Sequence, residues 1–193
     1  MNRDAAADAL DMLREGNRRF RDGGSQNPRR DPGHRRAVAE GQSPQAAVLA
    51  CSDSRVPPEV VFDQGLGDLF IVRTAGHVVD RAALGSLEYA VDHLHVPLLI
   101  VLGHSGCGAV TAAVAGQGGP GNVDWIVGTI RPAALATGTV GGDAVENAAR
   151  EHVRRTQVEV VRQSACLREA VERQRLTVVG AFYDLSSGLV DML

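Results

Sequence analysis

Two apolar runs, each stopping abruptly at small polar residues, limit what this chain can fold into: Val48–Pro58 (VLACSDSRVPP) and Val96–Val110 (VPLLIVLGHSGCGAV). An unbroken apolar run bounded by Gly or Ser is the pattern of a strand buried on both faces, which belongs in a parallel sheet. In open α/β sheets, sites form where loops leave the carboxyl ends of such strands. Cys51, Asp53 and Arg55 sit at the first break, His104 and Cys107 at the second. If the two strands are adjacent, Cys51 comes close to His104 and Cys107. Two thiolates and one imidazole suit Zn²⁺, and three protein ligands rather than four is how a catalytic zinc site keeps a position open. The C-x-D-x-R and H-x-x-C spacings are weak alone. Each placed just after a buried strand, they predict a metal around which the chain is organised.

The 193 residues, with 44% hydrophobic side chains, predict one compact domain over 1–193, of which 1–45 form an N-terminal helical arm. A net charge of −3 gives no electrostatic case for nucleic acid. No apolar run approaches the ~20 residues of a membrane span. The start, MNRDAAADAL, carries acids and lacks an apolar h-region, so it does not read as a secretory signal. The expectation is a cytoplasmic protein whose three cysteines are metal ligands or free thiols rather than disulfides.

Around the two runs, strands alternate with helices. Ala6, Leu10, Leu13, Asn17 and Phe20 recur at helical spacing, predicting an amphipathic helix over 3–22. A linker rich in Gly, Pro and Arg follows over 23–33, then a helix of about two turns over 34–40, ending at Gly41. Such an arm packs on a partner subunit or covers its own sheet; the sequence favours neither. The first strand is 46–50, and Pro57 and Pro58 fit the opening turn of a short helix to Phe62. A second strand spans 68–72, a helix 81–94, a third strand 96–102, and a helix 106–115. The glycine-rich stretch 116–141 holds a helical piece at 126–136. Asp143 followed by Glu146 is a helix cap, and helices continue through Val160 and over 164–174. A fourth strand over 176–182 and an edge strand over 189–193 close the chain. This order predicts an α/β fold: a mostly parallel sheet of about four strands plus an edge strand, flanked by helices.

CSDSR, the RTAGH stretch, the GSLEYAV helix and GHSGCGAV together resemble a β-class carbonic anhydrase. The similarity is densest from Gln42 to Ala113 and reaches more loosely to EGNRRF and GAFYDLSSG. By this resemblance Cys51, His104 and Cys107 are the zinc ligands, and Asp53 and Arg55 match the family's Asp–Arg dyad. With Arg55 holding Asp53 aside, water or hydroxide takes the fourth zinc position; with Asp53 as fourth ligand, catalysis is blocked. Gln42 stands where the family places a glutamine, nine residues before the first cysteine. The apolar carbon dioxide pocket maps onto Phe70, Ala75 and Tyr89, shared across a dimer interface, with the Gly108 N–H assisting substrate. Val48 replaces the tryptophan of the bicarbonate-regulated subclass, which points to the plant-like subclass. Thr74 and Gly76 depart from the asparagines common in that subclass, leaving the pocket wall near Ala75 less closely matched than the metal site.

The resemblance implies reversible hydration of carbon dioxide to bicarbonate and a proton by a homodimer or higher multiple. Zinc lowers the pKa of bound water to ~7 in another carbonic anhydrase, one with three histidine ligands; two thiolates donate more charge and should leave that water less acidic. Arg55 keeps Asp53 ionised, and its planar fork fixes the carboxylate's direction. Other readings stand beside this one: a structural zinc with Asp53 as permanent ligand, which Arg55 does not serve, a non-catalytic zinc module, or hydrolysis of a small linear molecule such as carbon disulfide. Phe70 and Tyr89 also read as core, Gln42 as a loop residue, and Cys166 as core or a free thiol. His34, His77, His93, His95 and His152 are all conceivable proton shuttles, and spacing selects none of them. Gly103, Gly106 and Gly108 are not followed by Lys-Ser/Thr, so a phosphate loop is weakly signalled.

Overall fold

The computed structural model describes residues 2–193. Strands β1 (Ala46–Cys51), β2 (Leu69–Thr74), β3 (Leu98–His104), β4 (Thr177–Tyr183) and β5 (Val190–Met192) form one sheet in the order β2-β1-β3-β4-β5. The first four are parallel, and β5 runs antiparallel to β4. β1 and β3 occupy the middle of the parallel block, and every residue of both is buried, as their unbroken apolar runs require.

Two strands run further than their apolar residues do. β3 continues through Gly103 and His104 because its ladder with β4 extends to His104↔Tyr183. β2 continues through Arg73 and Thr74, paired to Ala50 and Cys51. Backbone hydrogen bonds are indifferent to side-chain polarity, so a ladder outlasts the hydrophobic pattern. Cys51 and His104 are therefore the last residues of adjacent strands rather than loop residues beyond them.

Alternate residues of each central strand face opposite layers. Ala46, Val48, Ala50, Leu98, Ile100 and Leu102 pack under α1 (Asn2–Arg21), against Ala9 and Leu13, and against Val61 and Phe62 at the short helix α3 (Pro58–Val61). Ala47, Leu49 and Leu99 face α4 (Arg81–Asp92), α7 (Ala144–Gln163) and α8 (Ala165–Glu172). A third cluster joins Cys51, Cys107 and Phe182 to α5 (Gly108–Val114), α6 (Asn122–Thr137) and α7. Gly103 lets α7 come close, since a Cβ there would lie 2.4 Å from Val153 Cγ2.

The N-terminal arm covers its own sheet. Asn17, buried on α1, donates to the carbonyls of Val61 (3.1 Å) and Gly188 (2.9 Å) and accepts from Val190 N–H at 3.0 Å. Arg19 pairs with the buried Asp63 at 2.6 Å, and Asp63 also accepts from the amides of Gln26 and Asn27. Beyond the linker, α2 (Pro32–Ala37) starts on an Asp31 cap and passes into a 3₁₀ turn at Val38–Glu40. α6 begins four residues before the expected 126, and burial of Val127, Ile130 and Ala133 outweighs the disruption from Pro132 inside it. No helix among the described residues is long and apolar enough to cross a membrane.

Replacing Asn17 with Ala strips three backbone groups, two of them buried, of their partner. Urea unfolding should show stability lower by about 1–3 kcal/mol with an unchanged m value.

Candidate metal centre

The carboxyl ends of β1 and β3 meet in a pocket of soft donors. Cys51 closes β1, His104 closes β3, and a turn through Gly106 (φ 62°) delivers Cys107 to the start of α5. The Sγ atoms of Cys51 and Cys107 and a ring nitrogen of His104 all lie within 4.8 Å of one another, and the three residues are buried. His104 Nδ1 lies 2.9 Å from the Ser105 carbonyl, which only accepts, so that nitrogen carries the hydrogen. His104 Nε2 is left with its lone pair, buried and without a hydrogen-bond partner. An orphaned imidazole nitrogen facing two thiols is poor packing and a good ligand set, so the residues present fit a zinc ion.

The thiols are unequal. Cys51 is shifted to low pKa, first by the hydrogen bond from Cys107, then by His104 and by the amides of Asp53 (3.4 Å) and Gly76 (3.3 Å), against the opposing effect of burial. Cys107 is pushed up because it donates that hydrogen and because it is buried.

Asp53 stands beside this cluster, paired to Arg55. Arg55 holds the carboxylate bidentately, Nε to Oδ1 at 2.9 Å and Nη2 to Oδ2 at 2.6 Å, and the Arg55 amide adds 2.9 Å to Oδ1. Those bonds hold the Asp53 carboxyl well below the usual carboxylate range. Asp53 Oδ2 is 4.0 Å from His104 Nε2, too far for a hydrogen bond but next to the open side of the donor set. With 56% of the Arg55 side chain exposed, the pair adds little to stability; its effect is on direction and charge.

Sequence reasoning missed Arg73. It projects from β2 and donates to the Cys51 carbonyl at 2.8 Å and to the Asp53 carbonyl at 2.5 Å, clamping the segment that carries both residues. Its position after an apolar strand, just before Thr-Ala-Gly, was the available signal, since β2 pairs with β1 through Cys51↔Thr74. Gly76 was missed for the same reason.

Not every expected residue gathers here. Ala75 opens the 3₁₀ turn (Ala75–His77) whose Gly76 amide touches Cys51, and Gly108 begins α5 beside Cys107. Gln42, by contrast, is exposed ahead of β1, at its amino end, near Leu66 and Asp68. Phe70 lies early in β2, paired with Ala47, and its ring packs against Tyr89 with centroids 6.2 Å apart. At about 3.3 Å per residue, four strand positions separate Phe70 from the metal ligands of its own chain. Cys166 lies on α8 as a free, half-buried thiol. His77 and His152 are buried, which removes them as shuttles to solvent. His93 and His95 precede β3 at its amino end, and His34 contacts the Leu66 carbonyl at 2.9 Å, also away from the site.

The carbonic anhydrase family model matches residues 46–190, a span that contains the whole donor set. The chain belongs to the β-class carbonic anhydrases. It is 44% identical to carbonic anhydrase 2 of Mycobacterium tuberculosis over 93% of this chain and 89% of the relative. It is 40% identical to the carbonic anhydrase of Mycolicibacterium smegmatis over 95% and 91%. Among solved structures, one of two tetrameric β-carbonic anhydrases from Sordaria macrospora superposes with a TM-score of 0.76 at 27% identity, covering 84% of this chain and 87% of that one. The chain is therefore an enzyme of carbon dioxide hydration, and the cluster of Cys51, His104 and Cys107 is able to hold a metal ion.

Two outcomes test this geometry. Changing His104 to Ala should abolish stoichiometric zinc measured by elemental analysis. Burial lowers the His152 pKa to about 4, below the ~6.5 of an unfolded histidine, so the unfolded chain takes that proton first. The contribution is complete above pH ~6.5 and is lost as pH falls toward 4; urea midpoints across that window should fall, and less so in His152→Gln.

Proposed function

We propose that this enzyme interconverts carbon dioxide and bicarbonate using one Zn²⁺ held by Cys51, His104 and Cys107, with Asp53 and Arg55 as the dyad beside it. The observation that carries this reading is the orphaned His104 Nε2 facing two thiols, with a carboxylate 4.0 Å away that arginine restrains. Zinc, when bound, supplies the Lewis acid that makes water a nucleophile near neutral pH. Asp53, anionic because of Arg55, accepts a hydrogen bond from the attacking water and aims its lone pair at carbon dioxide. Arg73 fixes the backbone on which Asp53 rides. The pairing of Asp53 with Arg55 supports an open resting arrangement, the one that the plant-like subclass suggested by Gln42 and Val48 would adopt. Cysteine ligands suit a reducing compartment, and we assign the enzyme to the cytoplasm.

The substrate pocket needs a second copy. Gln42, Phe70 and Tyr89 lie toward the amino ends of β1 and β2, whereas the donor set lies at the carboxyl ends. β2 is an edge strand with half-buried Leu69, Phe70 and Ile71, and Tyr89 beside it is 46% exposed. An uncovered apolar edge is a pairing surface. A twofold copy set antiparallel along β2 would bring the amino end of one β2 beside the carboxyl end of the other. Phe70 and Tyr89 of each chain would then supply the apolar wall near its partner's Ala75, the Gln42 amide would donate to a bicarbonate oxygen, and the Gly108 N–H would help to seat substrate.

Stopped-flow hydration with a pH indicator should show zinc-dependent turnover that rises from neutral to alkaline pH; none above the buffer blank would sink the proposal. Asp53→Ala should retain zinc yet lower kcat/KM by about 10²-fold or more, whereas loss of zinc would make Asp53 a structural ligand. Tyr89→Arg should give monomers by sedimentation velocity that keep zinc and lose turnover.

A further inference from the structure

α7 contributes nothing to the donor set, yet one of its side chains reaches toward it. His152, 4% exposed, places Nε2 at 2.9 Å from the Gly76 carbonyl. A carbonyl only accepts, so Nε2 carries the hydrogen, and burial keeps the ring neutral. Gly76 in turn gives its own N–H to Cys51 Sγ at 3.3 Å. The glycine is obligatory: its φ is 62°, and a Cβ would lie 2.6 Å from Ile130 Cδ1 and 3.1 Å from Ala109 Cβ. On its other side His152 packs against His77, with centroids 4.4 Å apart and the rings tilted by 35°. His77, at φ 44°, is 1% exposed, and neither of its ring nitrogens has a partner. Burying two imidazoles costs more than burying two apolar rings of similar size. The Gly76 carbonyl, turned out of the β2 ladder by the 3₁₀ turn, needs a donor, and His152 is the one that meets it.

We propose that His152 is a positioning residue of the metal centre: by holding the Gly76 turn it aims an amide at the Cys51 sulfur and so sets the donor strength of that ligand. An N–H···S bond draws charge from the sulfur and fixes where it points, as partners behind a metal ligand do. Removing the anchor frees the amide, loosens the placement of the ligand, and leaves the sulfur more electron-rich toward the metal. This inference rests on the reading of Cys51 as a zinc ligand.

The test compares full-length His152→Phe, which keeps a ring against His77 but has no donor, with His152→Gln, whose amide can replace Nε2–H. Zinc affinity by chelator competition should fall about 10-fold or more in the Phe variant, the usual range for losing a partner of a ligand, and return largely to the wild-type value with Gln. The pH profile of hydration should move to higher pH with Phe but not with Gln. In the ¹¹³Cd-substituted wild-type protein, the Gly76 amide proton should show scalar coupling to cadmium, retained with Gln and lost with Phe. Equal zinc affinities for the two variants, or no Gly76 coupling in the wild type, overturn the inference. Should His152→Phe fail to fold, the wild-type coupling alone decides. Wild-type zinc binding no tighter than that of Cys51→Ser would instead overturn the metal reading beneath it.

Discussion

Parallel pairing of β1 with β3 is the constraint on which the site depends. The register Ala50↔Leu102 brings the two strands to their carboxyl ends almost together, with Cys51 and His104 as the terminal residues. From there a single glycine-bearing turn suffices to return Cys107 to the same place. Neither strand could serve on an edge. Both are fully buried, so the donor atoms inherit a rigid and water-poor setting from the core itself. A low-dielectric surround strengthens each charge interaction and penalises any polar atom without a partner, which is why the bare His104 Nε2 is informative.

Charge in this pocket is held in place by neighbours of different kinds. Asp53 is kept anionic by an exposed arginine, where solvent screens the pair and the geometry of the fork does the positioning. Cys51 is favoured as thiolate by amides and by Cys107 in a buried setting. The backbone carrying both is fixed by Arg73 from one side and by the Gly76 turn from the other. β2 therefore does more than add a strand, since its end supplies the clamp and the amide that the first strand lacks.

Much of this was legible in the sequence. Buried strands announced themselves as apolar runs, and Cys51, His104 and Cys107 stood where those runs broke, so the parallel core and the clustering of those three could be read from the residues, whereas the pairing of Asp53 with Arg55 came from the family resemblance. The strand ends could not, because ladders to Tyr183 and Thr74 are made by backbone groups that side-chain patterns do not report. The role of the arm was ambiguous for a similar reason. Asn17 fell on the helical stripe among apolar residues, but the carbonyls it serves belong to Val61 and Gly188, far off in the chain. His152 lay within a predicted helix, and only the folded chain reveals what its ring meets.

One group of expected residues does not gather at the donor set. Gln42, Phe70 and Tyr89 lie far from the metal ligands of their own chain, and no rotamer change spans a strand's length. If they line a pocket, it is another chain's. A pocket built this way would couple assembly to activity: the apolar edge of β2, a hazard if left bare, would become in the proposed twofold pair the wall that carbon dioxide meets. On the proposed reading an isolated chain would keep its donor set yet lack the surface on which substrate settles. The donor set is thus a property of the chain's core, and the substrate site, on the proposed reading, would be a property of its edge.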